Sequence, residues 1–454
     1  MKSKFWSLLA VLLLVVTFLP ACAPGAIKAP ANINPIVFVH GFAGSAAQFE
    51  SQAMRFESNG YPANYISAYE YDSAAGLSPQ FPPESVLAGL NQVVDAARKD
   101  TGADKVDLIG HSLGTKVSQA YLTSSPERAA KIAHYVNIDG QTSTELPGGV
   151  PTLALWAGRR PAEFPQGGEI VGATNVLLPN VTHVECATCP EAFVEMFKFL
   201  TGQAAATDKI LAESPGNIEL AGRAVIFPQN TGVQDPGAML EIWEVDGKTG
   251  FRVGSQPQAT YPIGGNGDWG PFQGKGGVNY EFNLVREALN VHFYYEPFIR
   301  GDYLIRLNNE VPGKGLGSHM DASDHHSDMY VSRNKEFWGD QGAENDKLTI
   351  NGTNIITPEI CPLSHLVIAI FVYDNGADSK SDVTEPIQYY FTVISFFISG
   401  VDLYMPAANP PTGTISLVLT PRGGSGSTQV INVPNWSSIK DRMSVQFNDF
   451  VQAE

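Results

Sequence analysis

At 454 residues the chain is long enough for two or three domains, and a hydrophobic content of 43% supports ordinary globular cores. Its 46 acidic residues outnumber 29 basic ones, for a formal charge of -17. Such a surface repels nucleic acid and anionic lipid, so no nucleic-acid partner is expected, and solubility is its main consequence.

The chain opens with basic "MKSK" and then apolar "FWSLLAVLLLVVTFL" as far as Pro20. That layout predicts an export signal over residues 1–21, too short and one-sided for a permanent membrane span. Pro24 disfavours ordinary cleavage after Ala23, whereas "LPAC" resembles a bacterial lipobox with Cys22 as the lipidated mature N-terminus. The expectation is an exported protein, held at the cell surface through Cys22 or else freely secreted, with 22–34 as a linker.

Residues 35–202 alternate strand-like and helix-like segments. "IVFVH", "NYISAYEY", "KVDLIG", "KIAHYVNID", "PTLALWAG" and "TNVLLP" read as strands, several apolar throughout, as strands covered on both faces should be. "PESVLAGLNQVVDAARKDTG", "SLGTKVSQAYLTSSP" and "PEAFVEMFKFLTG" read as helices. The pattern predicts a doubly wound, mostly parallel α/β domain. Residues 203–216 form a linker. Beyond it, short strands separated by Gly- and Pro-rich turns predict β-sandwich or barrel modules, divided here into 217–300 and 301–454. The apolar run 387–405 is broken by polar residues and Gly400, and it reads as buried strands rather than a span.

Gly110-His111-Ser112-Leu113-Gly114 follows the third strand and opens a helix. In that context a serine between glycines is a nucleophile elbow: the turn strains the serine backbone, and the glycines clear the neighbouring strand and helix. The hydroxyl then points off the carboxyl edge of the sheet, above a helix N-terminus. Such a hydroxyl needs a base, expected after a late strand and behind an acid in chain order. His183 sits just after the last strand, whereas His134 lies inside an apolar strand and His111 belongs to the elbow. For the acid, Asp139 ends a strand and precedes a glycine, with Glu163 or Glu169 one strand later as rivals. Arg159 and Arg160 offer Glu163 an exposed salt bridge. "VFVHGFAGS" leaves the first strand, so the N–H groups of Phe42 and Leu113 are the expected oxyanion donors.

In this order, "VHGFAGS", "GHSLG", "NIDG" and "THVE" resemble secreted bacterial and archaeal lipases of the α/β-hydrolase fold, with the acid after the sixth sheet strand. The resemblance implies a Ser112–Asp139–His183 triad, oxyanion donors Phe42 and Leu113, no cofactor, and a hydrophobic ester or lipid as substrate. "GRAVIFPQNTG", "LEIWEVD" and "GDWGPF" resemble transthyretin-like modules, and β domains behind related hydrolases imply lipid binding. The one segment available as a lid, 72–83, is short, which argues against strict interfacial activation.

Other clusters carry less. Cys186 and Cys189 can close a short disulfide loop in an exported protein, remain buried thiols, or form half a zinc site. "SHMDASDHHSDMY" (His319, Asp321, Asp324, His325, His326, Asp328) reads as a solvated polar loop, and Asp374, Asp378 and Asp382 as a weak calcium candidate; no metal site is assigned. The expected function is ester hydrolysis. The alternative is a cell-surface binding protein with a vestigial hydrolase domain, because the β modules fill over half the chain.

Overall fold

The computed structural model describes residues 27–28, 30–31, 33–161, 167–213, 216–423 and 426–451. The expected export signal, Cys22 and Glu163 lie outside the described residues.

Six strands build the first sheet: β1 (Ile36–Val39), β2 (Ile66–Tyr69), β3 (Val106–His111), β4 (Ile132–Ile138), β5 (Thr152–Ala157) and β6 (Thr174–Leu178). All are parallel, in the order β2-β1-β3-β4-β5-β6. Period-two alternation sends Ile36 and Phe38 into one core and Val37 and Val39 into the other. Helices α1 (Glu50–Ser58) and α5 (Pro190–Thr201) cover the first face; α2 (Glu84–Thr101) and α3 (Leu113–Ser124) cover the second, with the short α4 (Pro126–Ala130) behind α3. The expected doubly wound α/β-hydrolase sheet is therefore present. Helix α1 was not expected, because "ESQAMRFES" has too little apolar periodicity. Its Arg55 is buried nonetheless, donating to the carbonyl oxygens of Thr188 and Asp208.

In the β half, the segments on either side of Gly301 share sheets. One eight-stranded sheet runs Ala259–Pro262, Met239–Glu244, Tyr280–Val285, Asn290–Tyr295, Asp441–Phe447, Met329–Arg333, Ala369–Tyr373, Ile398–Asp402. Its seam is the parallel pairing of Asn290–Tyr295 with Asp441–Phe447, which joins the middle of the chain to its end. The strand Asp302–Asn309 pairs with Asn217–Ile226, so Gly301 lies within the connectivity of a sheet and not between two. The run 387–405 also departs from the expected strands: Gln388–Val393 is helical, and only Ile398–Asp402 is a strand. The helical turn seats fully buried Tyr390 on Phe371, ring centroids 4.2 Å apart, against a backbone that Gly400 leaves bare. Tertiary packing there overrides β propensity.

Candidate active site

Ser112 sits between β3 and α3 with φ 52° and ψ -120°, a strained conformation for a residue with a side chain. The glycines around it are sterically required. A Cβ on Gly110 would stand 2.7 Å from Ser118 Oγ, and one on Gly114 would run into the Val39 carbonyl oxygen. The turn is thus tight enough to lift Ser112 clear of the sheet edge.

The structure brings the three expected residues together. His183 Nε2 lies 3.0 Å from Ser112 Oγ, and His183 Nδ1 lies 2.6 Å from Asp139 Oδ2. Asp139 follows β4 directly, with φ 47°, and its Oδ1 accepts the Ala157 N–H at 2.9 Å. Burial opposes its charge, yet His183 and Arg160 hold its carboxyl below the ordinary value. With Asp139 on Nδ1, His183 presents Nε2 to the serine hydroxyl, the arrangement a general base needs. Glu169 is exposed, and among the described residues only its main-chain oxygen is engaged, by the Ser143 N–H.

Two residues near the triad carry more than the sequence indicated. Arg160 pairs with Asp139, and Arg159 reaches Glu344 at 2.7 Å and the Trp338 ring at 4.1 Å; the pairing expected with Glu163 lies outside the described residues. His111 Nε2 bonds the His183 carbonyl oxygen at 2.9 Å. Burial, and then the neighbouring His183, push His111 down to about 3, so it is neutral and Nε2 carries the donating proton.

The expected oxyanion loop abuts the serine. Gly44 N–H bonds Gly41 O at 3.2 Å, Gly41 N–H donates to Gln48, and Ala43 N–H donates to Ser73 Oγ. Among the described residues the Phe42 N–H has no acceptor. Leu113 opens α3, where a backbone N–H has no partner inside the helix. Beneath the loop, His40 Nδ1 donates to Gly41 O at 2.9 Å. Burial lowers the His40 pKa despite nearby Glu70, so its Nε2 is an acceptor. Two donors meet it: the Tyr71 N–H, at 3.4 Å, and, from the β half, Asn230 Nδ2, at 3.2 Å, which also bonds Gly44 O and Tyr71 O.

The site is covered from two sides. The short helical turn Ala74–Leu77, within the segment 72–83, brings Gly76 close against Leu113. The second cover was missed. Phe396 meets the Phe42 ring edge-on at 6.4 Å, and Phe397 lies parallel to the His183 ring at 6.4 Å. Both follow the unexpected helix, so a reading that placed strands there could not have aimed them at the triad.

The remaining candidates fall elsewhere. Of the three readings open for Cys186 and Cys189, the buried thiols are what the structure has: both are free and buried, and Cys189 Sγ accepts the Ala192 N–H at the start of α5. His326 is fully buried between Asp328 and Asp374, 3.3 and 3.5 Å away, not solvated as expected. His319 stacks on Tyr389. Asp378 pairs with Lys380, and Asp382 accepts from Thr384.

Residues 33–129 match the family model of lipase (class 2), residues 216–312 that of the lipase C-terminal domain, and residues 315–451 a further C-terminal domain model. Solved structures similar to the chain include the Bacillus licheniformis lipase BlEst2 in propeptide form, at 12% identity over 91% of this chain and 95% of that one, TM-score 0.27. An acetylxylan esterase is 13% identical over 38% of this chain and 99% of its own, TM-score 0.22. A Listeria innocua gene product is 12% identical over 39% and 97%, TM-score 0.30. The family matches support a lipase/esterase with extra C-terminal domains.

Proposed function

We propose that the protein is an exported serine hydrolase that cleaves carboxylic esters of hydrophobic acids, lipids among them, through an acyl-enzyme on Ser112. The observation that carries this is the continuous chain Ser112 Oγ–His183 Nε2, His183 Nδ1–Asp139 Oδ2, beside a Phe42 N–H that has no acceptor among the described residues. Ser112 Oγ attacks the ester carbonyl carbon while His183 Nε2 takes its proton. The N–H groups of Phe42 and Leu113 face the developing oxyanion, and Asp139 balances the imidazolium. His183 then protonates the leaving alkoxide, and the same base activates the water that releases the acid.

A cavity of about 180 Å³ opens beside Ser112, walled by Phe42, Val184, Phe371, Ile394, Phe397 and Met443. Its lining is mainly apolar, with Arg286, Glu310, Arg333 and Arg442 also on its walls, and the apolar part supports a hydrocarbon acyl chain. A fluorophosphonate probe should label the protein at Ser112, and p-nitrophenyl esters from acetate to palmitate should show turnover rising with chain length before it falls. A protein that neither labels nor turns over any of them is not a hydrolase, and the binding-protein alternative then gains. Attachment at the cell surface through Cys22 belongs to the same reading; a mature N-terminus found unmodified by mass spectrometry refutes it.

A further inference from the structure

We infer that Glu336, carried by the C-terminal β half, is a positioning residue for the base: it locks the loop that presents His183 to Ser112 and Asp139. The inference rests on the reading of Ser112, His183 and Asp139 as the catalytic set.

His183 stands on a segment with no regular structure of its own, between the end of β6 at Leu178 and the short turn Glu185–Ala187. Glu336 is fully buried against that segment. Its Oε1 accepts the Val184 N–H at 2.7 Å; its Oε2 accepts the Thr182 hydroxyl at 2.6 Å and the Glu185 N–H at 3.1 Å. One carboxylate therefore holds the residues immediately before and after His183. The carbonyl oxygen of His183 is taken by His111. Hydrogen bonds to a carboxylate are among the stronger ones, and three on one buried group leave the loop little room to turn.

The carboxylate is itself anchored. The main-chain oxygen of Glu336 accepts from Arg333 Nη2 and Arg422 Nη1, and both arginines grip the buried Asp346, at 2.9 and 2.7 Å. Arg422 also reaches Glu185 at 3.0 Å, and Lys335 pairs with the other Glu185 oxygen at 2.5 Å. Burial works against the Glu185 charge, but Lys335 and Arg422 more than offset it and hold the carboxyl down at about 2. The ionic network of the β half thus continues without a gap into the loop that carries the base. If Glu336 were only a buried cap, its loss would cost stability and leave His183 where it is. Its contacts flank His183 itself, so its loss must let the imidazole drift from two partners held at 2.6 and 3.0 Å.

The test compares wild type with Glu336→Gln and Glu336→Ala in the full chain. Steady-state kinetics on a soluble p-nitrophenyl ester are paired with proton NMR of the downfield His183 Nδ1–H that bonds Asp139. Glu336→Ala should lower kcat on the order of 10²-fold with little change in KM, and the downfield signal should move or vanish. Glu336→Gln, which keeps one acceptor and the volume, should give a smaller loss in the same direction and serves if the alanine variant does not fold. A folded variant with wild-type kcat and an unmoved signal overturns the inference. Failure of the hydrolase reading looks different: wild type would neither turn over ester nor label with fluorophosphonate, and the response of the NMR signal to Glu336 would then decide the positioning role alone.

Discussion

In the hydrolase sheet, chemistry lies within a residue or a short loop of a strand end: Ser112 after β3, Asp139 after β4, His183 after β6. In the β half, what matters to the site comes from far along the chain. Asn230 meets His40 across 190 positions, and Glu336 meets Val184 across 152. The comparison separates two jobs. On the proposed function, the first sheet supplies the reacting groups, and the β half holds the two loops that aim them. A triad alone would then be an incomplete description of this site.

The largest expected effect belongs to the reacting groups. Ser112→Ala should fold normally and lose nearly all ester turnover, leaving only what binding and the oxyanion donors contribute. Substantial activity in that variant would place the nucleophile elsewhere. Asp139→Asn comes next. An amide can neither balance the imidazolium nor keep the productive tautomer, a loss worth about 10⁴ in kcat in the serine protease precedent. Near-normal turnover would mean that another group, Glu163 included, orients His183.

A smaller effect tests the reach of the β half on the oxyanion side. Asn230 Nδ2 donates to His40, Gly44 and Tyr71 from a left-handed backbone position, φ 56°, that suits asparagine. Without it, the Gly44 carbonyl loses this donor and His40 Nε2 keeps only the longer bond from the Tyr71 N–H, at 3.4 Å, beneath the Phe42 N–H. Asn230→Ala should reduce kcat up to on the order of 10²-fold through misplacement of that donor, with KM less affected. Thermal unfolding measured on the same sample separates this from loss of fold. An Asn230→Ala protein with unchanged kcat would confine the β half to the histidine loop.

The same contrast explains what the sequence could reveal. Strand apolarity, the glycines at 110 and 114 and the order Ser–Asp–His are local signals, and they were enough for the first sheet and for the three residues it brings together. Helix α1 escaped because its buried face is made partly by Arg55, whose partners Thr188 and Asp208 are distant in sequence. The cover formed by Phe396 and Phe397 escaped because Tyr390 is helical only against Phe371 and Gly400. The shared eight-stranded sheet escaped for a related reason: the pairing of Asn290–Tyr295 with Asp441–Phe447 joins segments about 150 residues apart, which no local pattern announces. Glu336 carries no signal at all in "SRNKEFWGD", since its role lies wholly in which loop it meets.

Two adjacent arginines give the finest test of the division of labour. Arg160 faces the hydrolase side and pairs with Asp139; Arg159 faces the β half, against Glu344, Gln341 and the Trp338 ring. Removing Arg160 strips one partner from a buried carboxylate that still keeps the Ala157 N–H and His183. Hydrogen bonds to charged groups are worth about 1.5–3 kcal/mol, so Arg160→Ala should cost roughly tenfold or somewhat more in kcat. The loss should deepen as pH falls. Burial raises the Asp139 carboxyl and Arg160 helps to lower it, so without Arg160 it takes up a proton at a higher pH than in wild type. Arg159→Ala removes a pair whose carboxylate, Glu344, is largely exposed, and should change stability by less than about 1 kcal/mol and leave kcat nearly untouched at every pH. Profiles of both variants from acid to neutral pH on one ester decide the matter. If Arg159→Ala were the more damaging, the contacts of the β half would govern Asp139 as well as the loops, and the line drawn between the two regions would have to move.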